Sequence, residues 1–187
     1  RPEAGSVLGA YLNRSRHILT PRQQIRILQS LARETARRGE SESATKYLAA
    51  LTDILKKTYP EAMQRVSYQM QLARSLRNVG NIDLEIKAYE SVERIQEEGP
   101  AQFQTRFEVL QALVRLYIFK GDLEHTTKVL QEARAVANQL DRKPELAGGR
   151  RYHGKRLELE EISALLEVPS RSNEAGFRLL KLLEEMD

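Results

Sequence analysis

Leu113-Val114-Arg115-Leu116-Tyr117-Ile118-Phe119-Lys120-Gly121-Asp122-Leu123, followed by Leu130 and Ala133, is the stretch that decides the fold. An apolar helical stripe runs into Gly121, and a second stripe starts behind Asp122 and passes through Leu123, Leu130 and Ala133. Glycine tolerates the left-handed backbone that ends a helix, and aspartate accepts the free N–H groups that begin one. Together they predict a tight helix–turn–helix. The phrase recurs upstream. Leu72, Ala73 and Leu76 lead to Gly80-Asn81 and then Tyr89, and Leu31, Ala32 and Thr35 lead to Gly39 and then Ala44 and Leu48. Forty-one residues separate Gly39 from Gly80, and again Gly80 from Gly121. Pro21, Pro60 and Pro100 keep similar time, each before the first helix of a pair. At the first helical position a proline's missing N–H removes no bond. Fixed self-similarity of this size marks stacked helical pairs.

Working outward, the chain divides into an N-terminal capping helix over 1–19, three repeats over 20–140 (20–59, 60–99 and 100–140), a basic Gly-rich linker over 141–153, and a divergent fourth pair over 154–187. Val7, Leu8, Tyr11 and Leu12 form the apolar side of the capping helix. Thr20-Pro21-Arg22-Gln23 opens the first repeat as a capping box, with Ile25, Leu28, Leu31, Ala32 and Thr35 on the stripe behind it. In the second repeat Val66, Met70, Ala73 and Leu76 face Ile82, Ile86, Tyr89, Val92 and Ile95. Gly148-Gly149 interrupts the rhythm. Leu157, Leu159, Ile162, Leu165 and Leu166 then make a stripe, and Ala175, Leu179, Leu182 and Leu183 make the last. Ser170 stands 49 residues after Gly121, so this final pair is offset by eight.

Composition bounds the chemistry. The 187 residues are 41% hydrophobic, 30% charged and 6% aromatic, with a formal net charge of +4. There is no cysteine, which excludes disulfides, thiolate metal sites and cysteine nucleophiles. No apolar run reaches the roughly 18 residues of a membrane span. The mild positive charge permits nucleic-acid binding without implying it. The non-methionine start points to a processed chain or a piece of a larger one, and a cytoplasmic setting is the expectation.

The repeat resembles the tetratricopeptide (TPR) superfamily. Its favoured Leu, small, large apolar, Gly, Ala, aromatic and Ala positions fall on Leu31, Ala32, Thr35, Gly39, Ala44, Leu48 and Leu51. In the second repeat they fall on Leu72, Ala73, Leu76, Gly80, Glu85, Tyr89 and Val92, and in the third on Leu113, Val114, Tyr117, Gly121, Thr126, Leu130 and Ala133. A period of 41 rather than 34 is similar to the long-helix branch of kinesin-light-chain-like repeats and bacterial peptide-responsive regulators. Glu85 departs from the pattern where a small residue lets two helices approach. The resemblance implies an all-α fold, a right-handed α-α superhelix of about four TPR-like pairs with an N-terminal capping helix. It also implies a non-catalytic scaffold or adaptor that holds a protein or peptide in a concave groove.

The same resemblance places Gln29, Arg33 and Arg37 in that groove, then Met70, Arg74 and Asn78 with Arg77 nearby, then Gln111, Arg115 and Phe119. Arg33, Arg74 and Arg115 would form a ladder. Guanidinium groups grip carboxylates through paired hydrogen bonds, so an acidic segment is the partner expected. The competing reading is that these arginines are solvated or pair with glutamates of adjacent helices. A second functional reading is the sensory or regulatory region of a larger signalling protein. A third is RNA or another polyanion bound through Arg150, Arg151, Lys155 and Arg156. Gly149 to Lys155 resembles a phosphate loop, but Arg156 stands where the magnesium-binding Ser or Thr belongs. His17, His125 and His153 are scattered, without metal-ligand spacing. Asp122 reads as a helix cap rather than a catalytic acid, no nucleophile turn is present, and no cofactor or metal is expected. Leu179, Leu180, Leu182 and Leu183 offer a surface for self-association.

Overall fold

The computed structural model describes residues 9–10, 14–15, 18–97, 103–143, 153–166, 174 and 178. Every regular element among them is a helix: α1 (Pro21–Arg37), α2 (Ser41–Thr58), α3 (Ala62–Arg77), α4 (Ile82–Glu97), α5 (Phe103–Lys120), α6 (Leu123–Arg142) and α7 (His153–Leu166). The chain divides into two compact units, Arg1–Pro100 and Ala101–Asp187.

In the first unit α1 pairs with α2 and α3 with α4, while α1 touches α3 and α2 touches α4. Thr20 and Gln23 make the reciprocal capping box: the Gln23 N–H donates to the Thr20 hydroxyl at 3.3 Å and the Thr20 N–H to Gln23 Oε1 at 2.8 Å. Gly39, with φ +76°, ends α1. The Glu40 N–H returns to the Thr35 carbonyl (2.9 Å) and the Gly39 N–H to that of Ala36 (3.0 Å), which satisfies two carbonyls the helix leaves open. Gly80 and Gly121 share this left-handed backbone, at +75° and +73°. An alanine at any of the three would be strained whatever space surrounds it.

Small residues allow close packing. Ala32 and Ala44 are fully buried between α1 and α2, among Leu28, Leu31, Leu48, Leu51 and Leu55. The second pair buries Val66, Leu72, Ala73 and Leu76 against Ile86, Ala88, Tyr89, Val92 and Ile95. Glu85 is buried too, beside Leu84 and Ile86. Three hydrogen bonds join equivalent places in successive repeats: Gln29 to the Tyr68 carbonyl, Asn81 to Ser41 and Lys87 to Thr45, each 3.3 Å and 39, 40 and 42 residues apart. They bracket the period of the sequence. At the other end of the unit, a β-carbon added at Gly9 would meet the Tyr47 hydroxyl at 3.1 Å, so this residue lies against α2.

Two expectations need correction here. Pro60 does not open α3: Glu61 is the N-cap and Ala62 the first helical residue. A proline pushes the residue before it out of helical backbone, and Tyr59 is accordingly extended, at φ −122° and ψ 97°. Pro60 therefore closes α2. Ile82, expected on the stripe of α4, is exposed at its first turn.

Among the described residues, three helices build the core of the second unit. Phe107, Leu110, Val114 and Ile118 of α5 meet Ala133, Val136, Ala137 and Leu140 of α6 and Leu157, Ile162, Ala164 and Leu165 of α7. Burying a side chain of the size of Phe107 contributes roughly 1.5–3 kcal/mol. Asp122 caps α6 by accepting the His125 N–H at 3.1 Å, as its sequence position predicts. Leu123 and Leu159 depart from their stripes and are exposed. Leu159 lies two residues from Leu157, a spacing that places it on another face.

The stretch read as a linker begins inside α6, which runs on to Arg142. Asp141 then holds the start of α7, its carboxylate accepting the backbone N–H of His153 (2.8 Å) and of Gly154 (3.0 Å). His153, only 2% exposed, sets Nδ1 2.9 Å from Asp141 and Nε2 3.1 Å from Gln104 of α5, with its ring edge-on to Phe107. Three helices thus meet at one imidazole. Gln104 and His153 are 49 residues apart, the same offset that the last pair showed in sequence. The stripe through Leu179, Leu180, Leu182 and Leu183, and most of residues 1–17, lie outside the described residues.

Candidate binding face

Charge is sorted by helix in the first unit. α1 carries Arg22, Arg26, Arg33 and Arg37 against Glu34 alone, and α3 carries Arg65, Arg74 and Arg77 with no carboxylate at all. α4 is the reverse: Asp83, Glu85, Glu90, Glu93 and Glu97 against Lys87 and Arg94. The touching pair α1 and α3 is therefore strongly basic.

Between these two helices lies an open pocket of about 350 Å³, lined by Arg26, Gln29, Ser30, Arg33, Gln71, Leu72 and Ser75. Local structure places its cations. Ile25, Leu28 and Ala32 point α1 into the core, so Arg26 and Arg33, each one residue beyond a core position, turn outward. Being seven residues apart, they stand two turns apart on one side of the helix, about 10.5 Å along its axis. Not every polar group there is available. Ser75 donates its hydroxyl proton to the Leu72 carbonyl (2.7 Å), and Gln29 spends an amide hydrogen on the Tyr68 carbonyl. Tyr68 extends the face toward the start of α1. It stacks on Tyr59 at 5.2 Å with the two hydroxyls 3.1 Å apart. That bond holds the Tyr59 phenol below its usual range, against the opposing effect of burial and helped by a hydrogen bond from Arg22 and its positive charge, and it raises Tyr68.

The residues expected in the groove have different fates. Gln29 and Arg33 line the pocket, with Arg33 exposed. Arg37 is exposed and makes a long 3.7 Å pair with Glu34. Arg74, Arg77 and Asn78 are exposed at the end of α3. Met70 and Gln111 are 6% and 7% exposed, so they offer little surface to a ligand and serve mainly as packing. Phe119 is half-buried. Arg115 sits in the second unit with only 11% of its side chain exposed and pairs with Glu160 of α7 at 3.8 Å. There the competing reading, pairing with a neighbouring helix, describes the arrangement. Lys155 and Arg156 fall in the first turn of α7, and Arg150 and Arg151 lie outside the described residues. Arg26, Ser30, Gln71 and Ser75 were not singled out from sequence. The signal that could have found them is the seven-residue spacing of Arg26 and Arg33, set against the acid-free sequence of α3.

Among the described residues no three His, Asp or Glu side chains gather as a metal site would require, and no helix is long and apolar enough to cross a membrane. No protein-family model matches the chain, and no curated protein matches it. A solved structure does. The crystal structure of nearly identical TPR-like repeats assigned to a Podosopora anserina kinesin light chain superposes with a TM-score of 0.52 at 20% identity, covering 98% of this chain and 85% of that one. The fold is accordingly a TPR-like all-α repeat.

Proposed function

We propose that this protein is a non-catalytic scaffold that holds a partner protein or peptide, and that the α1–α3 face takes the partner's acidic groups. One observation carries the reading. Two helices that touch share seven arginines and a single glutamate, and the pocket between them is lined by two arginines without an acid. Arg26 and Arg33 are exposed on the pocket wall, and guanidinium donors bind carboxylates in pairs. The TPR-like fold is consistent with this role.

The test is calorimetric titration of a 12-residue Asp/Glu-rich peptide into the protein and into Arg26→Glu/Arg33→Glu. Saturable binding that weakens from 50 to 300 mM salt, and falls at least tenfold in the variant, is the expected result. Equal affinity in wild type and a variant with unchanged helical circular dichroism would remove the α1–α3 face from the account.

A further inference from the structure

Resting on that reading, we propose that the α1–α3 pocket is a phosphomonoester subsite, which receives a phosphoserine or phosphothreonine side chain of the bound segment. The donor count points there. Arg26 and Arg33 approach the same ≈ 350 Å³ space from two turns of α1, each with a planar fork of N–H groups. Ser30 and Gln71 add a hydroxyl and an amide from opposite walls. Among the described residues nothing hydrogen-bonds the Ser30 hydroxyl or the Gln71 amide, whereas Ser75 and Gln29 are partly committed to carbonyls.

A carboxylate offers two oxygens and about four acceptor sites, which two guanidinium forks alone would fill. A phosphomonoester presents three acceptor oxygens and a charge of about −1.5 to −2 at neutral pH. It can therefore accept from both forks and still engage Ser30 and Gln71. No aspartate or glutamate lines the walls, and Glu34, one turn beyond Ser30, is paired with Arg37 and Arg38.

The experiment is a titration of the isotope-labelled protein, followed by its backbone amide NMR signals at constant ionic strength. Three pentapeptides differ only at the centre, which is phosphoserine, glutamate or serine, and inorganic phosphate is the fourth probe. The expected result is saturable shifts concentrated at residues 29–33 and 71–75, with the phosphoserine peptide at least tenfold tighter than the glutamate peptide. That advantage should shrink between pH 7 and pH 5 as the phosphoryl group takes up a proton, with a second pKa of about 6. It should also vanish in Arg26→Gln/Arg33→Gln. Equal affinity for the glutamate peptide would overturn the phosphoryl subsite while leaving the acidic-partner reading intact. Equal affinity for inorganic phosphate would overturn it in favour of a small-anion site. Shifts spread over every arginine-bearing helix, or none at the pocket with any probe, would overturn both.

Discussion

Arg33 and Arg115 each lie six residues before the glycine that ends their helix, and their surroundings are opposite. Arg33 is exposed on the wall of an open pocket, facing a neighbouring helix that carries no carboxylate. Arg115 is largely buried and paired, because α7 supplies Glu160. α7 carries Glu158, Glu160 and Glu161 where α3 carries none. One repeat position thus has two environments. In the first unit the cation stands exposed on a pocket wall, and in the second the neighbouring helix pairs it. A repeat register specifies where a side chain points, and the adjoining helix decides what it does.

The largest expected effect is on the second unit's docking. His153→Ala removes a buried ring that joins α5, α6 and α7, leaving Asp141 and Gln104 short of a partner. It should cost about 2–4 kcal/mol in urea unfolding, whereas Arg33→Ala should stay within about 0.5 kcal/mol of wild type. Similar costs for both would break the contrast. Next in size is a substitution that makes the first unit resemble the second. Gln71→Glu places a carboxylate on the pocket wall beside Arg33 and should lower affinity for an acidic peptide about tenfold while leaving stability unchanged. Undiminished affinity would mean that the pocket is not where the peptide sits. Its converse is Glu160→Gln, which removes the 3.8 Å ion pair with Arg115. The pair is partly exposed, so the loss should be only about 0.5–1 kcal/mol by urea midpoint, with no gain in peptide binding.

The smallest effect is on pH dependence. Burial pushes the Asp141 carboxyl up, but the backbone N–H groups of Gly154 and His153, and then the His153 ring, outweigh it and hold the carboxyl below its usual range. A carboxylate depressed in the folded state stabilises above its unfolded value and loses that contribution as pH falls through the folded one. The second unit should therefore weaken below about pH 4, and Asp141→Asn should flatten this slope while lowering stability at neutral pH. Acid unfolding curves for the two proteins check the sign.

Much of the fold was legible because its determinants are local. A left-handed glycine, a capping threonine and an apolar stripe each act within a few residues, so Gly39, Gly80, Gly121, Thr20 and Asp122 could be read directly. Pro60 misled because the proline's effect on Tyr59 outweighed its fitness for a helix start. The site was legible only in part. The arginine at each repeat's equivalent position was visible, but whether it meets an acid depends on residues about forty positions away, Gln71 for Arg33 and Glu160 for Arg115. His153 looked isolated for the same reason, since Gln104 is 49 residues upstream.

The most direct test of the central claim is selection from a random-peptide library against the wild-type protein and against Arg26→Glu/Arg33→Glu, with both confirmed helical. The account predicts that wild type enriches acidic sequences and that the variant loses them, while Arg115→Gln keeps the wild-type preference. Identical enriched sequences on all three proteins would contradict it, and would place the binding surface away from α1 and α3.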